Sequence, residues 1–214
     1  MTFDVGTRFL ERSRYYLGLE YPAKIRSAVL ALPAERLWFR PDPASNSAGN
    51  LVLHLAGNVR QWVVSGIGGG PDVRQRDEEF AAAGGMDAAE LLEHLEKTLS
   101  EVDAVLARLT SQSLGEVRRI QGRETTVFSA LYHVVEHFGG HTGQIILLAK
   151  LYAPGEIRFY EDSGGLARPT FPGRWPERRG VGVAPPGADP NAARRVRPPL
   201  PRPTIRRAPR APPS

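Results

Sequence analysis

Three of the five histidines in this 214-residue chain, His133, His137 and His141, fall at a constant spacing of four, with Gln144 one turn further on. At about 100° per residue these side chains form a polar stripe about 80° wide on a helix, beside an apolar stripe of Val134, Phe138, Ile145 and Ala149. Solvated helix faces are usually built from Glu and Lys, so His and Gln bordering a core face point to ligation. Two imidazoles four apart have Cβ atoms about 5–6 Å apart, close enough for both to reach one ion at about 2.0–2.1 Å. The spacing alone leaves the pairs His133–His137 and His137–His141 equally open. Three neutral imidazoles would leave a divalent ion its full charge and an open position. Such an ion lowers the pKa of a water or thiol toward about 7. Glu136 projects about 100° away from His137, so no Glu or Asp general base lies on the stripe and no catalytic residue is assigned.

A third ligand must come from another element. Residues 48–66, NLVLHLAGNVRQWVVSG with its flanking cap, place Leu51, Val52, Leu55, Ala56, Val59, Trp62 and Val63 on one wide apolar face. His54, Asn58, Gln61 and Ser65 lie together on its flank, and His54 is the only histidine outside the stripe in such a position. Ser45 or Ser47 can cap this helix.

The remaining elements frame these two. Residues 5–32 read as a long amphipathic helix with a kink or break expected near Glu20 and Tyr21, because Pro22 removes a backbone donor. RLWFRPDPASNS is a loop anchored by Leu37, Trp38 and Phe39. GIGGG at 66–70 follows a helix and lacks the Lys-Ser/Thr of a phosphate loop; it reads as a helix stop, with about one helical turn expected near Arg76 to Ala82. Asp87 and Glu90 form a capping box for a third helix over 88–112, with His94 on its solvated side. Residues 115–126 suit a small hairpin or crossing loop around Gln121-Gly122, and Thr125 or Thr126 caps the histidine helix, which ends near Tyr152. Four long helices with loops of very different length predict an all-α, four-helix bundle over residues 1–161.

The charge of +5 is unevenly spread. Residues 162–214 hold 11 of the 28 Lys and Arg and 3 of the 23 acidic residues, a net +8, and 13 of the 19 prolines; the rest of the chain is at −3. A Pro/Arg/Gly/Ala composition cannot bury enough surface to offset the entropy of ordering, so this tail is expected to be disordered, with PPLPRP favouring polyproline II. It has almost no aromatics to stack on bases, which argues against nucleic acid as a partner. Zero cysteines exclude disulfides, thiolate metal sites and a Cys nucleophile. The early charges of the N-terminus do not read as a signal peptide, and no apolar run is long enough to span a membrane. The expected location is cytoplasmic.

Five segments carry a resemblance to a known family. SNSAGNLVLHLAGNVRQWV, HVVEHFGGHTGQI, DVRQRDEEFAAAGG followed by ELLEHL, and LWFRPDPASNS resemble the DinB-like superfamily and its uncharacterised DUF1572 branch, in matching order over residues 5–160. The resemblance implies a usually dimeric four-helix bundle holding a metal with three histidines: His54, His137 and His141, with Gly143-Gln144 in the Gly-Gln position. His133 then becomes an extra, one turn away, and Thr142 stands where the family often has Arg. The implied cofactor is a divalent ion (Zn, Ni, Mn or Fe), since three imidazoles suit several first-row metals. The implied activity is that of a thiol-using transferase or a hydrolase acting on a small electrophile, with a low-molecular-weight thiol as a partner. Gln144, Asn58, Gln61 and His133 are expected to orient the ligands or the substrate. A non-catalytic metal-binding or dimeric bundle is the alternative.

Overall fold

A computed structural model describes residues 4–170 of the chain. The first amphipathic stretch is helical from end to end: α1 (Val5–Tyr15), a π-helical turn (Tyr16–Glu20) and α2 (Tyr21–Ala31). The Asp4 carboxylate caps α1 by accepting from the Gly6 and Thr7 amides at 3.1 and 3.3 Å. Where a kink or break is expected, near Glu20 and Tyr21, the α-helical pattern is interrupted by this π turn while the chain stays helical. Pro22 falls in the first turn of α2, where a missing N–H costs least. Gly18, whose carbonyl Pro22 leaves without a donor, lies in the π turn, whose altered bonding takes up the mismatch.

α3 (Ala48–Val59) continues through a second π segment (Arg60–Ile67). Of the two candidate caps, Ser47 is the one used: its hydroxyl accepts from the Asn50 amide at 3.1 Å and Asn50 Oδ1 returns to the Ser47 amide at 3.2 Å. After the glycine stop, with Gly69 at φ +76, comes the short helix α4 (Arg76–Ala81). α5 (Ala88–Leu106) starts at the expected Asp87–Glu90 capping box and ends before the expected 112. The strands β1 (Val117–Ile120) and β2 (Arg123–Thr126) pair antiparallel around Gln121 and Gly122, both at positive φ, the backbone a two-residue hairpin turn requires. Thr126 then caps α6 (Val127–Tyr152).

A second hairpin, β3 (Tyr160–Ser163) and β4 (Leu166–Pro169), turns at Gly164-Gly165. The sequence reading placed residues from 162 onward in the tail; the hairpin carries ordered structure to Pro169. The expectations of disorder and polyproline II for the remainder fall on residues 171–214, outside the described residues.

α2 packs against α5 and α6, and α3 packs against the same two, which closes a four-helix ring with α2 and α3 at opposite corners. Its interior is filled by Leu17, Ile25, Leu55, Leu91, Leu95, Leu131, Phe138 and Ile145, each almost completely buried and each contributing about 1.5–3 kcal/mol. The loop over residues 36–47 is pinned by two of its three expected anchors, Leu37 and Trp38, whereas Phe39 is 40% exposed. Leu37 is buried, and Trp38 donates from Nε1 to the Met86 carbonyl at 2.9 Å. The Trp38 ring lies over Gly49, where a Cβ would come within 2.7 Å of it. No described helix is long and apolar enough to cross a membrane. For function, the decisive packing is α3 on α6, because it turns the His54 flank toward the histidine stripe.

Candidate metal centre

His54 from α3 and His137 and His141 from α6 each bring one ring nitrogen to within 4.8 Å of the others. His54 Nε2 and His137 Nε2 stand 3.2 Å apart. Two nitrogens bound to one tetrahedral ion at about 2.0–2.1 Å would be about 3.3 Å apart, so these two already have nearly the separation of ligands. The ring centroids lie 5.0 Å (His54–His137), 5.0 Å (His54–His141) and 4.5 Å (His137–His141) apart. Burial pushes His137 down to about 3, helped by the neighbouring charges of His141, His54, His133 and Arg74. Burial also lowers His141, against a hydrogen bond to Gln144 that works the other way. Neutral imidazoles are the form that binds metal.

Two of the three rings have their second nitrogen anchored. His141 Nδ1 lies 2.7 Å from Gln144 Oε1; the oxygen only accepts, so Nδ1 carries the proton and Nε2 keeps its lone pair. His54 Nδ1 lies 3.0 Å from Glu79 Oε2 and 3.1 Å from Arg74 Nη2; with its proton donated to the carboxylate, as in carboxylate–histidine pairs at metal sites, Nε2 is left free. Burial raises the Glu79 carboxyl, but hydrogen bonds from Arg74 and His54 outweigh it and hold it below the usual range. Arg74 grips the carboxylate at both oxygens, 2.7 and 2.8 Å, and donates to Gln61 Oε1 at 3.0 Å. Gln61 in turn accepts from Gln121 in the hairpin turn and donates to Asp72, both at 2.8 Å.

The backbone of α4 is fixed to put Glu79 there. The fully buried Asn50 donates from Nδ2 to the Glu79 and Ala82 carbonyls at 3.0 and 2.7 Å, and Arg40 donates to the Phe80 carbonyl. The Phe80 ring covers His54 at 4.6 Å between centroids. Gly57, one turn beyond His54, makes the space: a Cβ there would overlap the Glu79 carboxylate. Behind Glu79 a groove of about 500 Å3, lined by Gly57, Arg60, Arg74 and His94 among others, lies apart from the triad.

The sequence-derived candidates thus separate. His54, His137 and His141 come together, and Gln144 holds one of them. Gln61 does not face the histidines; it reaches them only through Arg74 and Glu79. His133 lies against Trp62, the ring centroids 4.4 Å apart and the planes tilted by 49°, and falls outside the group of three. Asn58 is buried beside His54, and His94 is exposed. On α6 a Cβ at Gly139 would come within 2.8 Å of the Tyr21 hydroxyl, so this glycine admits the close approach of Tyr21. Sequence reasoning missed Glu79 and Arg74. Glu79 lies in an acidic run, Asp77-Glu78-Glu79, within the helical turn expected near Arg76 to Ala82, with nothing in the sequence to choose among the three.

The ligand set fits a first-row divalent ion. It offers neutral nitrogen donors with no thiolate, and a buried His137 Nδ1 that finds no partner among the described residues. Residues 4–160 match the model of a family described as "Protein of unknown function (DUF1572)". The chain belongs to that family. The DUF1572 chain shares its fold with a DinB-like protein from Bacillus subtilis, at 19% identity and a TM-score of 0.54, covering 70% of this chain and 97% of that one. A DinB-like protein from Bacillus cereus ATCC 10987 aligns at 18% identity and a TM-score of 0.48, covering 64% and 91% respectively. No curated protein matches the chain.

Proposed function

We propose that His54, His137 and His141 hold a divalent metal ion with a position left open, and that this DUF1572 protein uses it in thiol-transfer or hydrolysis on a small electrophile. The observation that carries the reading is the pair of Nε2 atoms facing each other at 3.2 Å, with the outer rings held in the Nδ1–H form by Glu79 and Gln144. A bound ion would supply Lewis acidity, favouring the deprotonated form of a thiol or water at neutral pH. The chain does the rest. Glu79 and Gln144 hold the Nδ1 protons and fix the rings, Arg74 neutralises Glu79, and Phe80 keeps water from one face of His54. Zn, Ni, Mn and Fe all suit three imidazoles.

The experiment is metal analysis of protein purified without a histidine tag, for the wild type and His137→Ala. Near-stoichiometric metal in the wild type and loss in the variant is the expected result; equal metal in both overturns the assignment. A screen for thiol-dependent consumption of electrophiles with each added metal follows. A second reading, a dimeric interaction bundle, draws on the exposed apolar side chains of α6: Phe128 at 45%, Tyr132 at 61%, Leu147 at 58% and Leu151 at 61%. It expects a dimer by light scattering that Tyr132→Glu or Leu147→Glu splits, with metal content unchanged.

A further inference from the structure

The groove behind Glu79 lies between α3 and α5, under the segment that leads into α4. Its volume of about 500 Å3 falls within the range of about 300–1,000 Å3 usual for small-molecule sites. None of the three metal-site histidines lines it. Short side chains make the room: Ala56, Gly57 and Ala82 border the groove, and Leu53 and Val73 supply its larger apolar surfaces. The body of an occupant is therefore apolar.

The polar lining sets the ends and the charge. Arg60 and His94 both line the groove, and Arg60 meets Glu101 of α5 at 3.3 Å. Glu101 and His94 are two turns apart on one face of α5, about 10 Å along its axis, so Arg60 and His94 mark opposite ends. Beyond Glu101, the Arg60 fork of five N–H groups donates only to the Pro71 carbonyl, at 3.3 Å, which leaves donors unspent. The exposed His94 ring makes no hydrogen bond to a described residue, and an imidazole carries an N–H in either tautomer. Each end thus calls for an acceptor. A cation would face these donors. An anion would face Asp72 and Glu78, which also line the groove: Asp72 accepts only from the Gln61 amide and the Arg74 backbone, and Glu78 has no ion pair with a described residue. Like charges so close repel, and an uncharged molecule escapes both penalties.

We infer that the groove is a second binding site, for an uncharged, elongated small molecule with an apolar body and a carbonyl-type acceptor at each end. Arg60 and His94 are its end contacts, and Leu53, Ala56 and Val73 its apolar contacts. The site shares the Arg74–Glu79 pair as a wall with the metal centre but uses none of the metal ligands, so it stands independently of the proposed function.

The test titrates full-length protein with para-diacetylbenzene, an uncharged ring with a ketone at each end, by calorimetry, and locates it by amide NMR shifts. The expected result is saturable one-to-one binding that shifts the Gly57, Val73 and Thr98 amides. Losing one neutral hydrogen bond should weaken it about fivefold, whether the loss is made in the protein, by Arg60→Leu or His94→Leu, or in the probe, by using acetophenone. The negatively charged para-acetylbenzoate should bind more weakly than para-diacetylbenzene. Arg60 is half-buried and His94 exposed, so both variants keep the fold, which circular dichroism checks. Absence of saturable binding overturns the site, as does affinity unaltered in both variants or para-acetylbenzoate binding as tightly. His137→Ala separates this inference from the metal reading: it should lose zinc and keep its affinity for the probe. A probe that binds the wild type but not His137→Ala sits on the metal and overturns the groove, whereas a wild type without zinc that still binds the probe defeats the metal reading alone.

Discussion

Replacing Glu79 by Gln removes one charge from the carboxylate that orients His54 while keeping its shape. Two effects follow from the geometry. First, His54 Nδ1 loses the ionised acceptor at 3.0 Å; loss of such a partner typically lowers metal affinity about 10–100-fold, or about 1.4–2.7 kcal/mol. Second, the Arg74 side chain, 4% exposed and paired to a carboxylate that is 10% exposed, is left without its counter-charge. Breaking a fully buried pair this way costs about 3–5 kcal/mol. Gln retains one acceptor oxygen, so about 2–3 kcal/mol is expected, a fall in Tm of about 5–10 °C at this chain length. The two effects separate in the double variant Arg74→Leu/Glu79→Gln, which removes the stranded cation: Tm should recover while affinity stays low. Zinc affinity by competition with a chromophoric chelator and Tm by circular dichroism read them independently. A Kd for Glu79→Gln within about twofold of the wild type, alongside the Tm loss, would refute the orienting role and leave Glu79 as a structural ion-pair partner.

Other positions test the same construction. Gly57→Ala gains about 1 kcal/mol of helix propensity but drives a methyl into Glu79, so a net loss of about 1–2 kcal/mol in thermal unfolding and weaker zinc binding are expected; a stabilised protein with unchanged affinity would contradict the packing. Asn50→Ala strands the Glu79 and Ala82 carbonyls and removes half of a capping box, for about 3 kcal/mol and a Tm lowered by about 6–12 °C, measurable by calorimetry. Gln144→Leu frees His141 to adopt either tautomer and should weaken zinc about 10-fold, with Tm in chelator hardly altered because Gln144 is exposed. Chelation of zinc present at about 100 times its Kd should lower wild-type stability by about 2.7 kcal/mol and leave His137→Ala where it was.

Much of the scaffold was legible because it depends on local chemistry. Ser47, Asp87 and Thr126 cap helices through hydrogen bonds that reach only two or three residues. The Gln121-Gly122 turn and the amphipathic faces of α3, α5 and α6 likewise follow from short-range rules. Departures from the sequence reading came where one of those rules was applied too far. The helical wheel that placed Gln61 on the flank of His54 assumes a uniform turn, but the chain passes into a π segment at Arg60. The wider turn carries Gln61 round to Arg74. The kink or break expected near Glu20 and Tyr21 takes the form of a π turn, Tyr16–Glu20, that leaves the chain helical.

What the sequence alone determined about the site was the supply of imidazoles, their i, i+4 alignment on one helix and a single matching histidine on another, because helix periodicity fixes those relations without reference to the rest of the chain. Which of His133, His137 and His141 meet His54 was decided by the packing of α3 on α6, which sets His54 against His137 and leaves His133 on Trp62. The same holds for Glu79: it reaches His54 through α4, held by Asn50 and admitted by the missing side chain at Gly57. A contact between residues 25 apart in sequence is set by how a loop lies on the bundle, and no periodicity within either segment encodes it.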